Sequence, residues 1–183
     1  MRYLVILALF TFCHTAYAGV FEVSLTANHR RSEINTTNYQ ESTSYTGSIS
    51  YYFLEMSALE ISYTNGTSLL KADTGSEVIQ YKTDFEMLGA DLVFTFAERS
   101  SPFQPFIKAG VAQISKKIIT VTSTGKNTNK QDPELVPSAG VGFKIKLTKT
   151  FSIKVGVDGW LTNMGEDDET TDYAGRAGIS WMF

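Results

Sequence analysis

Cysteine is all but missing. The single one, Cys13, lies in an N-terminal stretch with the marks of an export signal. Without it there is no internal disulfide, thiolate nucleophile or cysteine metal site. Histidine is nearly as scarce, and beyond that stretch only His29 remains. No second histidine exists to complete a His-based metal pair. Ser32 and Glu33 are near His29 in sequence, but no patterned motif joins them as a hydrolase would require. His29 reads as a loop-edge residue. There is no glycine-rich phosphate loop, and no cofactor is implied. No later segment reaches the ~18 apolar residues of a transmembrane helix. Helical periodicity is absent as well. Once Arg2 is set aside with the leader, 15 basic residues face 19 acidic ones, a formal charge of −4. That balance argues against a nucleic-acid partner.

Residues 1–18 read as a cleaved signal peptide. Arg2 supplies the positive start, residues 4–12 the short apolar run, and Ala16-Tyr17-Ala18 the small-x-small site before Gly19. A signal anchor is the competing reading. The remainder, residues 19–183, is expected to form one domain.

What is present is alternation. From Tyr173 to the terminal Phe183 every second residue is apolar or small: Tyr173, Gly175, Ala177, Ile179, Trp181, Phe183. Period two marks a strand with two unlike faces. The same pattern recurs in eight segments, at about 20–30, 43–54, 57–66, 82–97, 103–115, 136–148, 150–162 and 172–183. Connections around Glu55-Met56, residues 98–102 and Lys149 are short. Those at about 31–42, 67–81, 116–135 and 163–171 are long and polar. Short turns at one end and long loops at the other predict an all-β, eight-stranded antiparallel up-and-down transmembrane barrel.

One face holds residues such as Leu25, Ile49, Ile61, Leu92, Val141 and Ile153 and carries no charge. A soluble lipocalin-like barrel would also alternate. Its outer face would be rich in charge, however, whereas the polar face here is mostly Gly, Ser, Thr and Ala, suited to a narrow lumen. Aromatics also form two girdles. Phe21, Phe53, Phe94, Phe96, Phe103, Phe151, Trp181 and Phe183 cluster near the short turns, with Tyr45, Tyr63 and Tyr173 near the loops. Two residues fit less well. Pro105 calls for a bulge or a strand start just after it. Phe85 has the wrong parity relative to Leu88, which implies a bulge or a strand continuing beyond the membrane.

The polar face carries Glu22, Glu60, Asp91, Lys108, Lys144, Lys154, Asp158 and Arg176. Lone buried charges are very costly, so these are expected to pair as a lumen charge network. The turn at Lys149 would set Lys144 opposite Lys154, which requires acids from elsewhere; Glu22 and Glu60 are at the right height. Asp91 can oppose Lys108, and Asp158 and Arg176 lie on adjacent strands. Such a network either fills and rigidifies the lumen or forms a gate for small ions.

In the loops, residues 166–169 are an acidic run read as solvated. Lys116, Lys117, Lys126 and Lys130 form a basic loop, and His29, Arg30 and Arg31 a second basic patch. Lipopolysaccharide phosphates or plain solubility would account for them.

With these residues in view, the chain resembles the small OmpA/OmpX-like outer-membrane barrels of Gram-negative bacteria. The resemblance rests on the export signal, the eight strands and the ending Gly178-Ile179-Ser180-Trp181-Met182-Phe183. It implies that Trp181 and Phe183 belong to an assembly signal for the barrel assembly machinery. It implies residence among outer-membrane lipid and lipopolysaccharide, as a monomer. Some OmpA-like proteins add a peptidoglycan-binding domain after the barrel, and this chain is expected to have none. Three functions stay open: a structural or surface-interaction role with a host or surface ligand at the loops, a narrow channel, and a lipid-A-modifying enzyme. The shortage of histidine counts against the last, so the chain is expected not to be an enzyme.

Overall fold

The computed structural model describes residues 20–33, 39–73, 78–122, 125–162 and 170–183. The leader and the 166–169 acidic run lie outside the described residues. Nine strand segments follow in order: β1 (Val20–Glu33), β2 (Tyr39–Tyr52), β3 (Ser57–Asp73), β4 (Val78–Thr95), β5 (Phe103–Thr122), β6 (Gly125–Lys130), β7 (Glu134–Lys146), β8 (Phe151–Thr162) and β9 (Thr170–Met182). Each pairs antiparallel with its neighbour, and β1 pairs with β9 to close the ring.

The barrel wall has eight strands because β6 and β7 occupy one position. Both pair with β5, Lys117 opposing Lys130 and Ile114 opposing Glu134. One extra residue therefore sits on the β6–β7 side, a bulge at Asp132-Pro133 that reverses side-chain parity.

The wall is inside out relative to a soluble protein. Leu25, Leu92 and Phe183 are 62, 61 and 73 % exposed, whereas Glu22, Glu60 and Lys144 are each 2 % exposed. Lipid is the solvent that makes this arrangement stable, and it excludes the lipocalin-like alternative.

Two expectations need correction. First, much of what reads as loop is strand: the run at 116–135 is a hairpin arm, β5 continuing to Thr122 and returning as β6. Ile118-Ile119-Thr120-Val121-Thr122 is β-branched throughout, and that preference outweighs the lysines and asparagines around it. Second, Pro105 causes neither a bulge nor a late start. It lies in register opposite Phe143, two residues inside β5. Its carbonyl accepts from Phe96 N–H at 2.8 Å on the β4 side, just past the end of β4. The missing donor thus falls where that ladder stops. Phe85 follows the second of its two readings, a strand that continues upward, and no bulge accompanies it. Both ladders of β4 run unbroken, and Phe85 faces inward on a strand that extends to Val78. Gly66 gives its ring room, since a Cβ there would overlap it.

Above the membrane the wall opens. Pro137 lacks the donor that would carry the β7–β8 ladder past Ser138–Trp160. The β1–β9 ladder runs only between Ala27–Ala177 and Glu22–Met182.

A closed lumen charge network

Every residue assigned to the lumen charges by parity is buried or nearly so, and the barrel gathers them into two groups. At the turn end, Glu22 accepts from Lys144 Nζ at 2.8 Å and from the Tyr52 hydroxyl at 2.9 Å. Tyr52 in turn accepts from Lys144. The register sets Lys144 opposite Lys154, and the two diverge to different acids: Lys154 donates to Glu60 at 2.6 Å.

The second group centres on Lys108. Its ammonium lies 3.1 Å from Glu60, 3.4 Å from Asp91 and 3.2 Å from Asp158. Arg176 closes on Asp158 at 2.9 Å, and Ser138 donates to Asp91 at 2.6 Å. Neither pairing is straight across its ladder. Val93, not Asp91, opposes Lys108, and Gly156 opposes Arg176. The long cations bridge diagonally instead. Gly140 leaves room for Lys108 to reach Asp158. It sits between Lys108 and Asp158 on one row, and a Cβ there would lie 2.9 Å from Lys108 Cε.

The parity reading missed how much apolar bulk shares this face. Tyr52, Ala58, Val93 and Phe106 cluster near the turn end, with Val20 and Met182 against them. Met87, Ala112, Ile114 and Val136 cluster on the loop side, with Trp160 against them. Counting by twos from Asp91 or Lys108 finds Met87, Val93 and Phe106. They were obscured because apolar residues also flank them on the lipid face. The charges therefore form a layer with an apolar plug toward each end, the turn-end one interleaved with it through Tyr52 and Val93. Lys154 Nζ lies over the Phe106 ring, 5.2 Å from its centre. Within the layer is a cavity of about 30 Å³ lined in part by Glu60, Lys108, Asp158 and Arg176, room for about one or two waters.

Gln104, also missed, is 1 % exposed. Its amide donates to the carbonyls of Glu98, Arg99 and Ser101 at 3.2, 2.9 and 3.1 Å, folding the β4–β5 turn against the barrel.

Tyr52→Phe keeps the ring and removes the hydroxyl shared by Glu22 and Lys144. Hydrogen bonds to charged groups contribute about 1.5–3 kcal/mol. The urea midpoint of refolded barrel is expected to fall accordingly; an unchanged midpoint would mean that the hydroxyl is dispensable.

His29 Nδ1 lies 3.0 Å from Thr43 Oγ1, on β1 rather than at a loop edge. Among the described residues no cluster of metal-ligating side chains occurs. Trp181 and Phe183 stack with ring centres 6.4 Å apart, and Trp181 meets Phe151 edge-on at 5.9 Å.

A closed eight-stranded ring with lipid-facing apolar residues and an ion-paired interior is an integral outer-membrane β-barrel, crossing the bilayer many times with its strands. Residues 4–183 match the model of the outer membrane protein beta-barrel domain, and the chain belongs to that family. No curated protein matches it. Solved structures share the fold. The N-terminal barrel of Pseudomonas aeruginosa OprF matches at 17 % identity and TM-score 0.60, covering 92 % of this chain and 100 % of that one. Neisserial surface protein A matches at 13 % and 0.59, covering 91 % and 100 %. Ail, the attachment invasion locus protein of Yersinia pestis, matches at 13 % and 0.58, with the same coverage.

Proposed function

We propose that this barrel works at the cell surface through the strand arms above the membrane, with its lumen kept shut. The carrying observation is the outward face of β3–β6. Register and alternation direct Lys71, Lys82, Lys117, Lys126 and Lys130 to that face. Lys117 and Lys130 are directly opposite, an arrangement that destabilises a sheet unless an anion lies across it. Among the described side chains the acids there include Asp84 on β4, held by Lys82 at 3.1 Å and directly opposite Lys117, and Glu86 one row lower. The face begins just above the girdle tyrosines, at the height of lipid phosphates.

The ligand chemistry this favours is an anionic saccharide, and the phosphorylated core of lipopolysaccharide in the same leaflet is the nearest source. Ail, of like fold, has been crystallised with sucrose octasulfate, a heparin analogue. Each lysine near an anionic surface contributes about 1 kcal/mol. Lys117→Glu with Lys130→Glu is therefore expected to weaken lipopolysaccharide binding by about tenfold or more. If heparin binding falls and lipopolysaccharide binding does not, the ligand is an external glycan. If neither falls, the reading fails.

A narrow channel is the second reading, favoured by the water-sized cavity among the ion pairs. Against it stand the two plugs, whose side chains are mostly apolar and whose Tyr52 hydroxyl is already bonded to Glu22 and Lys144.

A further inference from the structure

We infer that the turn end carries a binding site for the phosphate of an anionic phospholipid in the adjoining leaflet. An open depression lies between the β4–β5 and β7–β8 turns. Its cations are Arg99, Lys146 and Lys149.

Three cations come together here, with the Glu98 carboxylate alongside, accepting from the Ser100 hydroxyl at 3.3 Å. Among the described residues no carboxylate forms an ion pair with any of them. Elsewhere in the barrel every inward cation of the charge layer has one. The fold also holds the cations in place. Arg99 stacks over the Tyr52 ring at 5.3 Å and donates to the Leu54 carbonyl at 3.4 Å, while Lys146 donates to the Arg99 carbonyl. Arg99 Nε is buried and has no acceptor. A phosphate would compensate the three charges.

Height and lining select a lipid over a soluble anion. Phe103, Phe151, Trp181 and Phe183 surround this end as the girdle that marks the headgroup level. Pro102, Leu147 and Met182 give the depression apolar walls, and Leu147 is 56 % exposed. A charged head beside a greasy stem is the shape of a phospholipid at the interface.

Trp181, beside Phe151 and Met182, provides the readout. The chain has two tryptophans, so Trp160→Phe isolates it. The barrel is placed in phosphatidylethanolamine bilayers with a minority of phosphatidylglycerol, brominated in one lipid at a time at equal fraction. Bromine on phosphatidylglycerol is expected to quench Trp181 as though that lipid were enriched about fivefold around it. Lys149→Glu, in an exposed turn, is expected to abolish the preference while heat-modifiable gel mobility stays normal; Arg99→Gln is the second variant. Lys126→Glu, at the far end, is expected to leave it intact. Equal quenching by the two lipids, or a preference that survives both Lys149→Glu and Arg99→Gln, would overturn the site. Quenching abolished by free inorganic phosphate without any lipid preference would also overturn it, by identifying a soluble-anion site.

Discussion

Lys108→Ala should destabilise the barrel well beyond the loss of Arg176. One ammonium serves Glu60, Asp91 and Asp158, and the three acids do not lose it equally. Glu60 keeps Lys154 and Asp158 keeps Arg176. Among the described residues Asp91, 4 % exposed, then keeps the Ser138 hydroxyl alone. Breaking a buried pair by removing one partner costs about 3–5 kcal/mol, since the remaining charge has no compensation. Arg176→Ala should cost less, because Asp158 retains Lys108. The check is a urea titration followed by gel mobility before and after boiling, with Lys108→Met/Asp91→Asn as the rescue. Recovery of most of the loss would show that the stranded aspartate carries the cost. Equal effects for Lys108→Ala and Arg176→Ala would refute the hub. The same variants decide between the closed lumen and the channel. In planar bilayers Lys108→Ala and Arg176→Ala are expected to be as silent as the parent, because the apolar plugs remain. Conductance that appears or changes in either would favour an ion-pair gate.

The second large effect is expected at the seam. Gly178 faces inward on β9 opposite Thr26 of β1. A Cβ there would lie 2.5 Å from the Thr26 Cα and 2.8 Å from the Leu25 carbonyl carbon. The obstruction is backbone, which cannot swing away as a side chain would. Overpacking a tight site costs about 1–3 kcal/mol and occasionally more. Here the strain falls on the ladder that closes the ring, so Gly178→Val is expected to reach or exceed the top of that range. The barrel should fail to show the folded band on an unboiled gel. Gly175→Val is the control: it lies on the same strand with nothing within 4 Å of the added carbon. It should change stability by no more than about 0.5 kcal/mol. Similar behaviour of the two variants would mean that close approach at the seam is not what requires glycine.

The architecture was legible because alternation, turn chemistry and the lipid-facing aromatics are local properties. Tyr173 to Phe183 shows its two faces without reference to any partner. The lumen charges were legible for the same reason, since parity alone directs Lys108 and Asp158 inward. The strand ends were not. Residues 118–122 are good strand formers in a lysine-rich stretch, and composition suggested a loop until their pairing with β4 and β6 was known. Phe106 and Met87 were hidden by apolar neighbours of the opposite parity.

Period two, and with it the assignment of each side chain to lipid or lumen, resides in the chain, because successive Cβ atoms on a strand must point to opposite sides. Which charges meet does not. Lys108 reaches Asp158 because two registers align them on either side of Gly140, and Lys154 on β8 reaches Glu60 on β3 across the lumen because the ring closes. Such contacts join residues far apart in sequence. They depend on the shear and closure of the whole barrel, which no single strand encodes.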